Sequence, residues 1–216
     1  MLDNRKTLHL LGKTMTLCTL LFVFSCTSQG KRALVGETAY QQKLNASFKD
    51  ASKSPLKKKD LKDFKGLAFF PVDSSFIVRA KLVRNPNAST FEMATTTDRK
   101  PNYKQYGVLT FRLQGKDCKL PIYQSQDDAK DEKYKDYLFL PFTDYTSGND
   151  SYGGGRYMDV MLTDIEADET IVLNFNNTYN PYCAYNDKYS CPLTPRENHI
   201  DLEIKAGIKV FEKHSE

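Results

Sequence analysis

Apolar and polar residues alternate along much of the chain after residue 75, and this pattern constrains the fold more than any other feature. In the first such segment, Phe76, Val78, Ala80 and Leu82 fall on one face and basic residues fall on the other. Successive side chains of a β-strand point to opposite faces of a sheet. The segment is therefore predicted to be a strand with one buried face.

Seven further segments have a similar character and are separated by Gly, Asn, Asp or Pro. They are residues 91–97, 105–114, 118–124, 136–143, 156–163, 169–176 and 199–210. Short connections favour antiparallel pairing of neighbouring strands. The predicted fold is therefore mainly β, an antiparallel sandwich or barrel of about eight strands, and the sequence does not decide between open and closed sheets.

The region before these strands has a helical pattern instead. Tyr40, Leu44 and Phe48 recur every four residues, which predicts a helix within 37–52 that ends before Pro55. A second short helix is predicted at 57–64. Residues 37–212 are accordingly predicted to form a single β-rich domain with a short helical N-terminal segment.

The first 25 residues resemble a bacterial signal peptide. Arg5, Lys6 and Lys13 form a basic start, and residues 17–24 form an apolar run too short to span a bilayer comfortably. The run ends in Val23-Phe24-Ser25-Cys26, which resembles the lipobox at which a lipid is attached to the cysteine. We expect residues 1–25 to be cleaved, Cys26 to be lipidated, and residues 26–36 to be a polar tether.

This targeting segment predicts a lipoprotein of the cell envelope, anchored to the membrane and facing the periplasm, with exposure at the cell surface left open. Without residues 1–25 the chain keeps 28 basic and 26 acidic residues, a net charge of about +2. Basic runs such as 57–59 are followed at once by an acidic residue. The near balance of charge argues against a nucleic-acid partner.

Unusual residues concentrate between 144 and 198. A long polar loop ends in three glycines, Gly153 to Gly155, which allow either close approach to a ligand or positive φ in a wide turn. A phosphate-binding loop would need its glycines to open a helix with a Lys-Ser/Thr pair, so no cofactor is predicted. Residues 174–185 are rich in Asn and Tyr. These side chains either bind a polar ligand or cap turns.

Several of these residues, with others upstream, resemble the signature of a known family. The matching motifs are Ser54-Pro55-Leu56, Phe64-Lys65-Gly66-Leu67, Thr146-Ser147-Gly148, Tyr152-Gly153-Gly154-Gly155-Arg156-Tyr157, Phe175-Asn176, Asn180-Pro181, Cys183-Ala184-Tyr185, Cys191-Pro192 and Glu197-Asn198. Together they are similar to domain-of-unknown-function family 1684 over residues 50–210. The resemblance implies no particular activity, because none is established for that family.

The chain departs from the family pattern at three positions. It has Asn174 where Asp is usual, Thr194 where Pro is usual, and Ile208 where Glu commonly follows Ala-Gly. A carboxylate at the first or last of these positions is therefore not required here. The remaining candidates for a functional site are Asp144, Arg156, Asn176, Asn180, Tyr185 and Glu197.

Three cysteines remain besides Cys18 and Cys26. Cys183 and Cys191 lie eight residues apart, and an oxidising envelope would permit a disulfide between them. A metal site made by these two with His199 is the alternative, but the spacing lacks the short pairs of structural zinc sites, so no metal is predicted. Cys118 lies in a predicted strand and is interpreted as a small buried hydrophobic residue.

Three functions are consistent with these features. The leading hypothesis is a module that binds a small polar or anionic ligand through Arg156, with the site lined by Tyr152, Tyr157, Asn176, Asn180 and Tyr185. The second is an envelope hydrolase in which Asp144 and Glu197 divide acid and base roles. The third is a structural or assembly role. Arg156 itself could either grip a ligand or tie its loop to Asp144 or Glu197.

Overall fold

The computed structural model describes residues 36–212. The predicted signal peptide, Cys26 and most of the tether lie outside the described residues. Two α-helices come first, α1 (Ala39–Lys49) and α2 (Lys58–Lys62). The strands are β1 (Ile77–Arg84), β2 (Phe91–Glu92), β3 (Asn102–Leu113), β4 (Lys116–Ser125), β5 (Tyr137–Asp144), β6 (Arg156–Met161), β7 (Thr170–Asn174) and β8 (His199–Ile200).

Short 3₁₀ turns connect several of these elements. They are Ser74–Phe76, Asp128–Lys130, Leu162–Asp164, Phe175–Asn177, Tyr182–Ala184 and Arg196–Asn198. Within residues 36–212, no helix has the length and apolar character needed to cross a membrane.

All eight strands belong to one sheet that curls into a half-barrel. Six strands lie in the order β6-β5-β4-β3-β1-β7, and every neighbouring pair in this path is antiparallel. The short β2 pairs with β3, and β8 pairs in parallel with β5. The prediction of a mainly β, antiparallel fold of about eight strands with a helical N-terminus is confirmed.

The β3–β4 hairpin shows how local sequence specifies this pairing. Gln114 and Gly115 connect the two strands with φ angles of 47° and 80°. Positive φ at both central positions matches the right-handed twist of paired strands, and glycine adopts it without steric cost. The ladder continues from Leu113 opposite Lys116 to Tyr103 opposite Ser125, with one irregularity near Gly107.

The main core covers one face of the sheet, which we call the core face. Alternate residues of each strand point into it, for example Ala80 and Leu82 of β1 and Leu138, Leu140 and Phe142 of β5. All five are at most 3% exposed. The exposed positions of β1 are the ones expected from the alternation in its sequence.

The strand predicted at 199–210 is wrong over most of its length. Only His199–Ile200 forms a strand, although the burial alternates as predicted, with Ile204 and Ala206 buried and Glu203 exposed. The backbone of Ile204 and Ala206 bonds to side chains, and Ile208 forms a single antiparallel bridge with Phe69. The strand predicted at 91–97 is likewise reduced to two residues.

The predicted helix at 37–52 is confirmed as the shorter α1. The Thr38 side chain accepts a hydrogen bond from the Gln41 amide at 3.2 Å, which caps the helix start. A second core joins α1 to the C-terminal part of the chain, and it contains Phe48, Leu67 and Tyr185. Through this second core, the helical segment packs on residues 67–69, 184–185 and 208 rather than on the main core. We call the face of the sheet opposite the core face the second face.

Candidate functional site

A cavity of about 580 Å³ lies between α1, the second face of β3, β5 and β6, and the segment 179–192. Of the six predicted ligand residues, its lining contains two, Tyr157 and Asn180. Nine aromatic side chains dominate the lining: Tyr40, Phe48, Tyr103, Tyr137, Phe139, Tyr157, Tyr179, Tyr182 and Tyr189. We call this space the tyrosine cavity.

The strand pattern explains how β5 and β6 place side chains in the tyrosine cavity. Leu138 and Leu140 of β5 point to the core face, so Tyr137 and Phe139 point to the second face. On β6, Tyr157 and Asp159 share that second face, and Phe139 lies directly opposite Asp159 in the ladder. The Phe139 and Tyr157 rings meet edge to face, with their centroids 4.7 Å apart.

The apolar stripe of α1 forms the opposite wall. Tyr40, Leu44 and Phe48, whose spacing predicted the helix, all line the cavity. Phe48 also packs on Tyr185 with ring centroids 4.7 Å apart, which holds the helix in place. The helix stripe therefore serves both the second core and the cavity wall.

In the part of the chain that the structure describes, Asp159 is the one carboxylate that lines the tyrosine cavity. Its Oδ1 accepts hydrogen bonds from the Tyr137 hydroxyl, at 2.9 Å, and from the Tyr179 hydroxyl. Burial, together with the negative charge of Asp159, raises the pKa of Tyr40, Tyr137 and Tyr179 well above the ordinary value. These phenols therefore remain protonated donors at neutral pH.

Arg156 does not line the tyrosine cavity but is fully buried on the core face of β6. Its Nη2 lies 3.2 Å from Asp144 Oδ2, and neither side chain of the pair has any exposed surface. Nη2 also donates to the Ile204 carbonyl oxygen at 2.8 Å, and Nη1 donates to that of Ala206 at 2.5 Å. Asp144 Oδ2 in turn accepts from the Ile204 amide at 2.6 Å.

This arrangement explains why residues 203–206 need no strand partner, whereas Gly207 and Ile208 pair with the backbone of residues 68–70. The backbone groups of Ile204 and Ala206 are satisfied by the Arg156–Asp144 pair instead of by a neighbouring strand. Burial lowers the pKa of Arg156, and the charge of Asp144 opposes that shift. Of the two roles considered for Arg156, the geometry supports the tie to Asp144.

The remaining predicted ligand residues also make structural contacts. Asn176 is buried, and its amide exchanges hydrogen bonds with the backbone of Asp73 at 2.8 and 3.0 Å. Asn180 Nδ2 donates to the Lys209 carbonyl oxygen at 2.9 Å. Tyr185 is fully buried in the second core, and Tyr152 is half-buried beside Cys183. Asn180 is the one member of this group that reaches the cavity.

The two candidate catalytic carboxylates lie in different environments. Asp144 is buried with Arg156 and accepts further hydrogen bonds from the Thr146 and Ser147 hydroxyls. Glu197 is exposed, and its Oε1 lies 3.0 Å from the Tyr123 hydroxyl. Neither lines the tyrosine cavity. The structure does not join them through any hydrogen bond within residues 36–212.

Among the three consecutive glycines, Gly155 has a conformational reason to be glycine. Gly155 has a φ of 92°, and a Cβ atom at this position would lie 2.6 Å from the Phe142 carbonyl oxygen. Gly153 has no such constraint. The glycine run is therefore explained by a tight turn that delivers Arg156 into the core.

Cys183 and Cys191 are free thiols in the structure, so the predicted disulfide is not formed there. The Cys183 amide donates to Cys191 Sγ at 3.1 Å. The hydrogen bond from the Cys191 side chain lowers the pKa of the Cys183 thiol, while that of Cys191 is raised. Cys191 lines the tyrosine cavity, so this thiol pair lies at its edge.

We expect Cys183 to be alkylated by iodoacetamide at pH 7 about ten times faster than Cys118, whose pKa is raised by burial. The thiolate is the reacting species, so the lower pKa of Cys183 favours it. Peptide mapping by mass spectrometry after timed labelling gives both rates in one sample. Recovery of Cys183 and Cys191 in one linked, unlabelled fragment would contradict the free-thiol arrangement.

His199 is separated from this pair of cysteines. Its Nδ1 lies 3.0 Å from the Thr143 hydroxyl, and its ring packs on Tyr145. It lines a smaller cavity of about 380 Å³ together with Cys118 and Asp201. In the described part of the chain, no three side chains of His, Cys, Asp or Glu are grouped so that they could hold a metal ion.

Comparisons with known proteins agree with this fold. The family described as protein of unknown function (DUF1684) matches residues 62–209. The chain is also similar to an uncharacterized protein of Haloarcula marismortui, solved by solution NMR. The two share 32% sequence identity and a TM-score of 0.62, and the match covers 79% of this chain and 90% of that chain. No curated protein matches the chain. This chain therefore belongs to the DUF1684 family of proteins of unknown function.

Proposed function

We propose that this protein is a lipid-anchored protein of the cell envelope whose β domain binds a small organic ligand in the tyrosine cavity. The proposed localisation rests on the resemblance of residues 1–26 to a lipoprotein signal. The binding role rests on one observation, a concave space of about 580 Å³ lined mainly by aromatic side chains with a few polar groups. Sites for small molecules commonly have this size and composition.

The cavity suits a ligand with a flat apolar body and at least one polar group. Seven of the chain's 13 tyrosines line it, and their rings provide rigid apolar surface. Asp159 provides a directional hydrogen-bond acceptor on the wall, whereas Asn180 Nδ2 is already bonded to the Lys209 carbonyl oxygen. The hydrolase alternative receives no comparable support. Asp144 forms a buried ion pair with Arg156, and Glu197 is hydrogen-bonded to Tyr123 outside the tyrosine cavity.

A blocking variant tests this proposal. Ser47 lies on the cavity wall within α1, and a tryptophan there would fill part of the space. We expect Ser47→Trp to abolish binding of small aromatic fragments detected by NMR of ¹³C-labelled tyrosines. Ala46→Trp is the matched control, since Ala46 is exposed on the same helix. Each variant also adds the chain's first tryptophan, whose fluorescence reports whether it is buried.

The expected result is that fragments shift resonances of cavity tyrosines in the native chain and in Ala46→Trp but not in Ser47→Trp. Unfolding curves of both variants check that the fold survives. Fragments that bind Ser47→Trp as well as they bind the native chain would exclude the tyrosine cavity as the ligand site.

A further inference from the structure

We infer that the ligand of the tyrosine cavity carries a positively charged nitrogen group, an ammonium or amidinium on an apolar or aromatic body, which binds beside Asp159. This inference rests on the proposed function and specifies its ligand class. It differs from the polar or anionic ligand that the sequence led us to expect.

The first observation concerns the hydrogen bonds of Asp159. Its Oδ1 is held by the hydroxyls of Tyr137 and Tyr179, which fixes the carboxylate at the cavity wall. None of the hydrogen bonds within residues 36–212 reaches its Oδ2. One oxygen of the carboxylate is therefore positioned by tyrosines and the other is open to a donor from a ligand.

The second observation is that Asp159 has no cationic partner within residues 36–212. Among the residues that the structure describes, no Lys, Arg or His lies within ion-pair distance of it. Its negative charge is consequently not neutralised by the protein. Asp159 is exposed at the cavity wall, so a cationic ligand could reach it from solvent and supply the missing counter-charge.

The third observation concerns the aromatic rings around this carboxylate. Tyr157 meets Phe139 and Tyr179 edge to face, with centroids 4.7 and 5.9 Å apart. The face of an aromatic ring carries partial negative charge and attracts cations. Since the phenols near Asp159 stay protonated at neutral pH, they act as donors and ring surfaces rather than as anions.

Groups that could bind an anion are poorly placed by comparison. Among the described residues, Lys43 is the single cationic side chain in the cavity lining; it is exposed like Asp159, but no hydrogen bond within residues 36–212 holds its ammonium group in place. Arg156, the strongest candidate from the sequence, points to the opposite face of β6 and is bonded to Asp144. An anion in the cavity would face Asp159 and the ring faces with Lys43 as its single counter-charge.

Three probes with the same planar body but different charge test the inference on the full chain in detergent. They are benzamidine, benzamide and benzoate, which are cationic, neutral and anionic at pH 7. Binding is measured by titrating each while following the ¹³C-labelled tyrosine resonances. We expect benzamidine to bind at least ten times more tightly than benzamide, and benzoate to bind more weakly than either.

Substitution of the carboxylate identifies the source of any preference. Asp159→Asn should reduce the preference for benzamidine over benzamide to less than about threefold, because the amide keeps the shape but loses the charge. Asp117→Asn is the matched control, since Asp117 is a strand aspartate whose side chain is 86% exposed, away from the cavity. Raising the salt concentration should weaken benzamidine binding alone.

The outcomes separate the two proposals. If benzamide or benzoate binds as tightly as benzamidine, or if Asp159→Asn keeps the preference, the cationic ligand class is overturned and the cavity remains a binding site. If none of the three probes moves a cavity tyrosine, both the ligand class and the proposed function are contradicted.

Discussion

Replacement of Arg156 by methionine is expected to lower the free energy of unfolding by about 3–5 kcal/mol, because the buried Asp144 loses its counter-charge. The carbonyl groups of Ile204 and Ala206 lose their donors at the same time. Arg156→Lys keeps the charge but not the planar fork of donors, so it should recover only part of the loss. Chemical denaturation followed by circular dichroism gives the change.

A surface pair provides the control for this experiment. Arg79 lies 2.7 Å from Glu166, but both side chains are at least half exposed. Exposed ion pairs contribute little, so Arg79→Met should unfold almost as the native chain does. The opposite result is that Arg156→Met is as stable as Arg79→Met and fails to bind the probes described above. That result would support a ligand-binding role for Arg156 and contradict the structural role.

Replacement of Cys26 by serine is expected to abolish incorporation of labelled fatty acid completely, because the thiol is the predicted site of lipid attachment. The protein should then accumulate as a precursor or be released from the membrane fraction. Cys18→Ser is the matched control, since Cys18 lies in the apolar run that would be removed with the signal. It should leave labelling unchanged.

The two cysteine variants are compared in the same cells by labelling, fractionation and the mass of the mature chain. If the native protein is found to be soluble and unlipidated, the predicted localisation is contradicted. The fold and the cavity described here would be unaffected by that result, because they rest on residues 36–212.

Much of the sheet could be predicted because a strand that is buried on one face has alternating apolar and polar residues. In β1 the alternation of Ala80 and Leu82 with exposed basic residues gave both the strand and its buried face. In the segment 201–208 the same alternation was present without a strand. Alternation records which side chains are buried, and it does not record whether the backbone bonds to a strand or to Arg156 and Asp144.

The aromatic character of β5 is a signal in the sequence for the cavity. Residues 137–142 are apolar at both odd and even positions, which indicates a strand covered on both faces. Leu138 and Leu140 face the main core, whereas Tyr137 and Phe139 face the cavity. What covers the second face could not be read from β5, because α1 precedes it by about ninety residues.

The position of Arg156 shows why local sequence is a weak guide to a site. Its neighbours, a glycine run and two tyrosines, suggested an accessible loop that could grip a ligand. Its actual partners include Ile204 and Ala206, which are 48 and 50 residues away in the chain. A contact of that range depends on how β5, β6 and the C-terminal segment assemble, which no local pattern specifies.

We propose that the ligand site of this protein is the tyrosine cavity and not the loop around Arg156. A crystal structure of the protein soaked with benzamidine tests this most directly. We predict electron density for the probe among the cavity rings, with its amidinium group within hydrogen-bond distance of Asp159 Oδ2. Density in contact with Arg156, after displacement of Asp144 or of residues 204–206, would contradict the account.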